Sequence, residues 1–144
     1  MLPFQNMIKN LTALKNGGVN SLIEMLVLEN REFIGKLNTD LQLYKGFDAV
    51  GDKIKPAYSK LTISYKKRKG DPYDRVTLKD TGDFYRSTDV DTSATDFIII
   101  NHDEQFPKLA EKYGNKLLGL SEGNKHLLAL KLKSQIIPKI KKKI

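Results

Sequence analysis

The chain has 144 residues, 40% of them hydrophobic and 29% charged, which is enough for one modest core and too little for two. It contains no cysteine, which excludes disulfides, thiolate metal sites and cysteine nucleophiles. Its only histidines are His102 and His126, so little acid-base or metal chemistry is on offer at neutral pH. The net charge of +8 is unevenly spread: seven lysines and no acid follow Glu122, whereas eight acidic residues face only Arg86 and Lys108 between Asp80 and Glu111.

Such segregation suits docking against an oppositely charged surface, a second copy of the same chain included, at least as well as it suits nucleic acid. Apolar runs such as Phe97 to Ile100 fall far short of the roughly 20 residues that span a bilayer. The N-terminal MLPFQNMIKN lacks the basic start and apolar core of a signal peptide. A soluble protein with no membrane partner is the expectation.

Residues 1–16 place Phe4, Met7, Ile8, Leu11 and Leu14 at helical spacing, and Gly17-Gly18 then cuts the segment off, so residues 1–19 read as an arm or short helix. Ser21-Leu22-Ile23-Glu24 has capping-box spacing and predicts a helix start. Ile23, Leu26, Val27, Ile34 and Leu37 carry one stripe to about Leu37 or Thr39, so a long N-terminal helix is expected. From Asp40 to Asp80 glycines and prolines interrupt the chain. Within this stretch Tyr58–Lys67 admits two readings, a strand from its alternating Leu61, Ile63 and Tyr65, or a short helix capped by Ser59.

Phe84–Val90 and Thr95–Asn101 are rich in aromatic and β-branched residues around a polar Asp91-Thr92-Ser93-Ala94, which predicts a hairpin whose second strand is buried on both faces. Pro107 opens a helix ending at Gly114. Ser121 caps another with Leu128, Leu132, Gln135 and Ile136 on one face, and Pro138 ends or kinks it. These elements make one α+β domain over residues 20–137. In it a small antiparallel sheet or hairpin packs with the N-terminal helix and C-terminal helices, and a basic tail follows at 138–144.

Most chemical motifs dissolve into bland ones. His102-Asp103-Glu104 are adjacent loop residues that do not face one another as a base and its orienting acid would. Asp89, Asp91 and Asp96 lack the spacing and turn glycine of a calcium loop and serve hairpin solubility. No phosphate-cradling glycine loop or nucleophile elbow appears, and nothing calls for a cofactor, a metal or a catalytic residue. Lys66-Lys67-Arg68-Lys69, beside Tyr65 and Tyr73, is a candidate phosphate-contact cluster with stacking tyrosines, set against a plain solvated loop. The C-terminal Lys131, Lys133, Lys139, Lys141, Lys142 and Lys143 are candidate contacts to DNA, an anionic membrane or an acidic protein surface, set against a plain solvated tail.

Leu78-Lys79-Asp80-Thr81-Gly82-Asp83-Phe84-Tyr85-Arg86-Ser87 stands out. Thr81-Gly82 reads as a tight turn with positive φ at Gly82, and Leu78 and Phe84 anchor its two sides in the core at the start of a strand. The segment also resembles the L-x-x-T-G-x-L-x-x-S signature of tailed-phage tail-completion and virion-morphogenesis proteins of the P2 and Mu type, with Phe84 in place of the usual leucine. Upstream, Gln42-Leu43, the Asp48 to Gly51 turn, Tyr58-Ser59 and Thr62 are similar to that family's ordered motifs. Downstream, so are Leu109-Ala110, Tyr113-Gly114 and Leu117-Leu118-Gly119-Leu120-Ser121. The ordered set spans about Gln42 to Ile136. An arginine-proline pair common in the family is replaced at Leu117.

The resemblance implies a structural virion protein that forms or completes the head-tail junction as a ring subunit, acting by non-covalent assembly. Its implied partners are copies of itself, portal or connector proteins, tail-tube proteins, and packaged DNA at a possible contact. Its implied place is the virion, assembled in the host bacterial cytoplasm. Thr81, Gly82, Phe84 and Ser87 would be scaffold, with the basic cluster and the C-terminal lysines as contact surface. The alternative from another class is a small basic nucleic-acid-binding protein.

Overall fold

A computed structural model describes Gln5, residues 18–93 and residues 96–143. The expected arm at residues 1–16 lies outside the described residues, Gln5 excepted. The chain is α+β: helices surround a two-stranded antiparallel hairpin.

The first helix, α1 (Val19–Glu29), begins before Ser21, because Gly18 is already in the right-handed helical region at φ −63°. Ser21 is therefore an interior residue and the expected capping box is not used. The expected long helix is also divided. Asn30 leaves helical geometry (φ −102°, ψ 12°) and α2 runs from Arg31 to Thr39. The cause is the Asn30 side chain, whose Nδ2 donates to Leu26 O at 2.7 Å and to Gln135 Oε1 at 2.7 Å, competing with helix continuation and tying the break to the last helix. On the expected stripe Leu26, Val27, Ile34 and Leu37 are buried, but Ile23 is exposed and Leu22 takes its inward place.

Ser59 settles the ambiguous segment as helix α3 (Lys60–Lys69): its Oγ accepts the Thr62 N–H at 3.2 Å, which caps the first turn. The hairpin begins later than expected. Phe84 to Arg86 belong to a single helical turn, α4 (Asp83–Arg86), and the strands are β1 (Thr88–Thr92) and β2 (Phe97–Asn101), with Val90 opposite Ile99. Ser93 N–H donates to Asp96 O at 2.8 Å across the loop. Ala94 and Thr95, part of the expected turn and strand, lie outside the described residues. β2 is not buried on both faces, because the pleat alternates: Ile99 points inward while Ile98 is 60% exposed.

Pro107 stands in the first turn of α5 (Phe106–Tyr113), as expected. The last helix, α6 (Glu122–Lys143), runs through Pro138 without ending, so residues 138–143 are its final turns and not a separate tail. The missing Pro138 N–H leaves only the Ser134 carbonyl without its helical donor, and both residues are exposed to water, where that loss is small.

Two apolar clusters form. Val27, Ile34, Leu37, Val90, Ile99, Leu120 and Leu128 join α1, α2, the hairpin and α6. Leu43, Ile54, Val76, Phe84 and Leu117 form the second, under Leu78, Tyr85, Phe106 and Tyr113. Leu118 packs against both.

Candidate functional site

The Thr81-Gly82 motif is built as the start of α4. Gly82 has φ +88°, where a Cβ would be strained and would also meet Arg86 Nη1 at 2.8 Å. The Thr81 Oγ accepts the Asp83 N–H at 3.3 Å, and the Arg86 guanidinium folds back on the Thr81 carbonyl at 3.4 Å and on the Asp83 carboxylate. Thr81 and then Arg86 hold the Asp83 carboxyl below the usual carboxylate range. The positive φ is as expected, but it opens a helical turn and not a strand.

Phe84 is 5% exposed, in the second cluster. Its carbonyl accepts Asn101 Nδ2 at 2.7 Å and Thr88 Oγ1 at 3.2 Å, which locks the turn to the hairpin. The Ser87 carbonyl accepts the His102 N–H at 3.0 Å. Leu78, the first motif residue, is itself at φ +57°. Its neighbour Thr77 is pinned on both sides, its N–H donating to Tyr58 Oη at 2.9 Å and its carbonyl accepting Tyr85 Oη at 2.6 Å. Burial pushes the Tyr85 phenol well above its ordinary pKa, so it is a hydrogen-bond donor at any working pH.

The basic cluster Lys66-Lys67-Arg68-Lys69 is not a loop but the last turn of α3, and two of its four cations, the buried Lys66 and the exposed Lys69, are bonded within the protein. Lys66 is 5% exposed, with Nζ on the Lys79 carbonyl at 3.0 Å and over the Tyr58 ring at 5.0 Å. Lys69 Nζ meets Asp80 at 2.7 Å and Asp71 at 3.3 Å. That pairing raises the Lys69 pKa above the usual lysine range and lowers that of Asp80, with the Lys69 hydrogen bond the largest cause. Lys67 lies over the Tyr73 ring at 4.7 Å. Arg68 is exposed. Through Lys66 and Lys69 the cluster fastens α3 to the Lys79-Asp80 arm of the motif, while Lys67 and Arg68 are exposed on its surface.

Between α3, the motif and α5 lies an open groove of about 860 Å³, lined among others by Tyr65, Leu78, Arg86 and Leu109, with Asp103 and Glu104 at its rim. Thr81, Gly82, Phe84 and Ser87 all border it. The C-terminal lysines are not part of it. Lys131 Nζ covers the Phe33 ring at 3.8 Å and Lys139 pairs with Glu29 at 3.2 Å, whereas Lys133, Lys141 and Lys142 are exposed. The Lys143 side chain lies outside the described residues.

Sequence reasoning missed Asn38 and Asn124 entirely. Asn38 bonds the 117–121 segment through Leu117 O (3.0 Å) and Gly119 N–H (3.2 Å), Gln42 bonds Gly119 O and Ser121 N–H (each 2.8 Å), and Asn124 Nδ2 reaches Leu37 O (3.0 Å). All three amides are buried. The only signal was an amide standing on an otherwise apolar helix face, which looks the same when it faces water. The Ala49 N–H also donates to Lys116 O at 2.8 Å, bringing the Asp48–Gly51 turn against the same segment.

Among the described residues no group of three His, Cys, Asp or Glu is arranged to hold a metal ion, and no helix is long and apolar enough to cross a membrane. Comparisons with protein-family models, curated proteins and solved structures gave no match.

Proposed function

We propose that the chain is a structural protein of a tailed phage or prophage virion, forming or completing the head-tail junction as a ring subunit by non-covalent assembly and without catalysis. The observation that supports this reading is the interlocking of the resembling motifs: Gln42 holds Gly119 and Ser121, and Ala49 holds Lys116, although the paired segments lie far apart in the chain. The Thr81-Gly82 turn is anchored from one side by α3 and from the other by the hairpin. Motifs that assemble one scaffold are what a subunit with rigid internal packing and exposed contact surfaces requires.

In this reading the exposed Lys133, Lys141 and Lys142 of α6 meet the acidic rim around Asp103 and Glu104 of the next copy. The contact is head-to-tail and closes when the rotation per subunit divides a full turn. Portal or tail-tube proteins are the further neighbours. The test is genetic. Removing the coding sequence from the phage or prophage should leave filled heads and unattached tails in negative-stain micrographs, and the chain should be found by mass spectrometry in purified parental virions. Joined, infectious particles lacking the chain would overturn the reading.

A further inference from the structure

Among the described residues, nothing hydrogen-bonds to the main chain of Ile99 on the outer edge of strand β2. His102 N–H donates to Ser87 O at 3.0 Å and Ser93 N–H to Asp96 O at 2.8 Å, so Ser87/His102 and Ser93/Asp96 are hydrogen-bonded pairs of the antiparallel ladder. Pairs of this kind alternate, which makes Asp89/Ile100 and Asp91/Ile98 the others. The main-chain groups of Phe97, Ile99 and Asn101 therefore face away from β1. Phe97 N–H turns to the Asp96 carboxylate at 2.8 Å, but the Ile99 N–H and C=O have no partner among the described residues, although Ile99 is only 8% exposed. A buried main-chain amide normally has a partner.

Beside this edge runs a second groove of about 750 Å³, floored by Leu118, Leu120, Leu128 and Leu132. The edge strand Phe-Ile-Ile-Ile carries none of the lysines or prolines that keep such edges single. The charges Asp89 and Asp91 sit on β1, away from the edge.

We propose that a second copy of this chain adds its β2 to this edge, antiparallel, across a two-fold axis at Ile99. The strand is complementary to itself in that register. Ile99 meets Ile99 and Phe97 meets Asn101, so the outward-facing main-chain groups meet as hydrogen-bonded pairs once the Phe97 N–H exchanges its own Asp96 carboxylate for the Asn101 carbonyl of the second copy. A slip of one residue would turn them away. Ile98, exposed in one copy, lies opposite Ile100 of the second copy. The outer face then carries four isoleucines flanked on both sides by the Asp89 and Asp91 carboxylates, an apolar centre with a charged rim. At each end Asp96 faces His102 of the second copy, an acceptor against a donor. The side chains of Phe97 and Ile99 from the second copy point to the face on which the groove lies. This contact is two-fold, distinct from the head-to-tail contact above, and does not rest on the virion reading.

The absence of cysteine allows a register-specific test on the full chain. Ile98→Cys and Ile100→Cys variants, mixed and mildly oxidised, should give disulfide-linked dimers containing one of each, because these positions lie opposite in a non-hydrogen-bonded pair whose side chains approach closely. Either variant alone should cross-link far less. The unmodified chain should sediment at no less than twice its monomer mass, and Ile98→Lys should lose the two-fold contact with an unchanged far-UV circular dichroism spectrum. If Ile98→Lys fails to fold, the cross-linking result decides. A chain that stays monomeric, or cross-linking as strong within one variant as between the two, overturns the proposal.

Discussion

Gln42 and Ser121, 79 positions apart in the chain, are joined by a 2.8 Å hydrogen bond from the Ser121 N–H to the Gln42 Oε1, while the Gln42 nitrogen donates to the Gly119 carbonyl. Gln42 is 2% exposed, so its amide has no water to fall back on. Gln42→Leu keeps the volume and removes both bonds, together with the one that Asn124 Nδ2 donates to the same Oε1 at 3.2 Å. It is expected to cost about 1–2 kcal/mol, the penalty for leaving part-buried main-chain groups without their partners. Urea unfolding of the two proteins measures it, and an unchanged midpoint would remove the amide clamp from the account of the core.

Gly82→Val should destabilise by at least about 1 kcal/mol, because a β-branched residue at a φ in the left-handed region is strained wherever its side chain points. The Arg86 side chain nearby is flexible and can move aside, so the backbone term dominates. Gly82→Asn, which tolerates that region better, should lose less. Thermal unfolding of the three proteins gives the order.

The Asp80 carboxyl has its pKa lowered from 3.8 in the folded chain by Lys69. A lowered carboxylate contributes stability that is fully present above the unfolded value and is lost as pH falls through the folded value. Asp80→Asn should therefore be less stable than the parent at pH 7, and the gap should close in acid below the folded pKa. Salt should narrow the gap as well, since the pair is largely solvent-exposed. A gap that persists unchanged into strong acid would assign the loss to something other than the ion pair.

Charge-directed assembly is best probed away from the lysines that serve the fold. Lys131 covers Phe33 and Lys139 pairs with Glu29, so reversing either would disturb packing within the subunit. Reversing Lys133, Lys141 and Lys142 to glutamate should abolish head-to-tail assembly with the unfolding midpoint unchanged. Rings or virion joints formed as well by this variant as by the parent would show that the lysines do not direct the contact.

Local rules carried the reading where one side chain decides the geometry: Ser59 capping α3, Pro107 opening α5, Gly82 taking positive φ. They failed where a distant partner decides. Asn30 breaks the long helix because Gln135 holds its side chain, a contact between residues far apart in the chain. Phe84 to Arg86 have strand-forming character, yet Arg86 folding back on Thr81 and Phe84 entering the second cluster favour a helical turn. Within Lys66-Lys67-Arg68-Lys69 only Lys66 is buried, which charge counted along the chain does not reveal. Whether a lysine nitrogen finds a carbonyl such as that of Lys79 is a tertiary fact. Pro138 reads as a stop in any single sequence, and the helix passes it because water serves the carbonyl it leaves bare.

Residues 117–121 have no regular secondary structure, yet both apolar clusters meet at Leu118 and two buried amides, Asn38 and Gln42, hold the main chain around it. The Gly119 and Ser121 N–H groups bond to Asn38 and Gln42, which lie in and just after α2. Deuterium should therefore enter these two positions only when the whole domain opens, as slowly as in the centre of a buried helix. An irregular segment of this kind is the last part of the molecule to loosen.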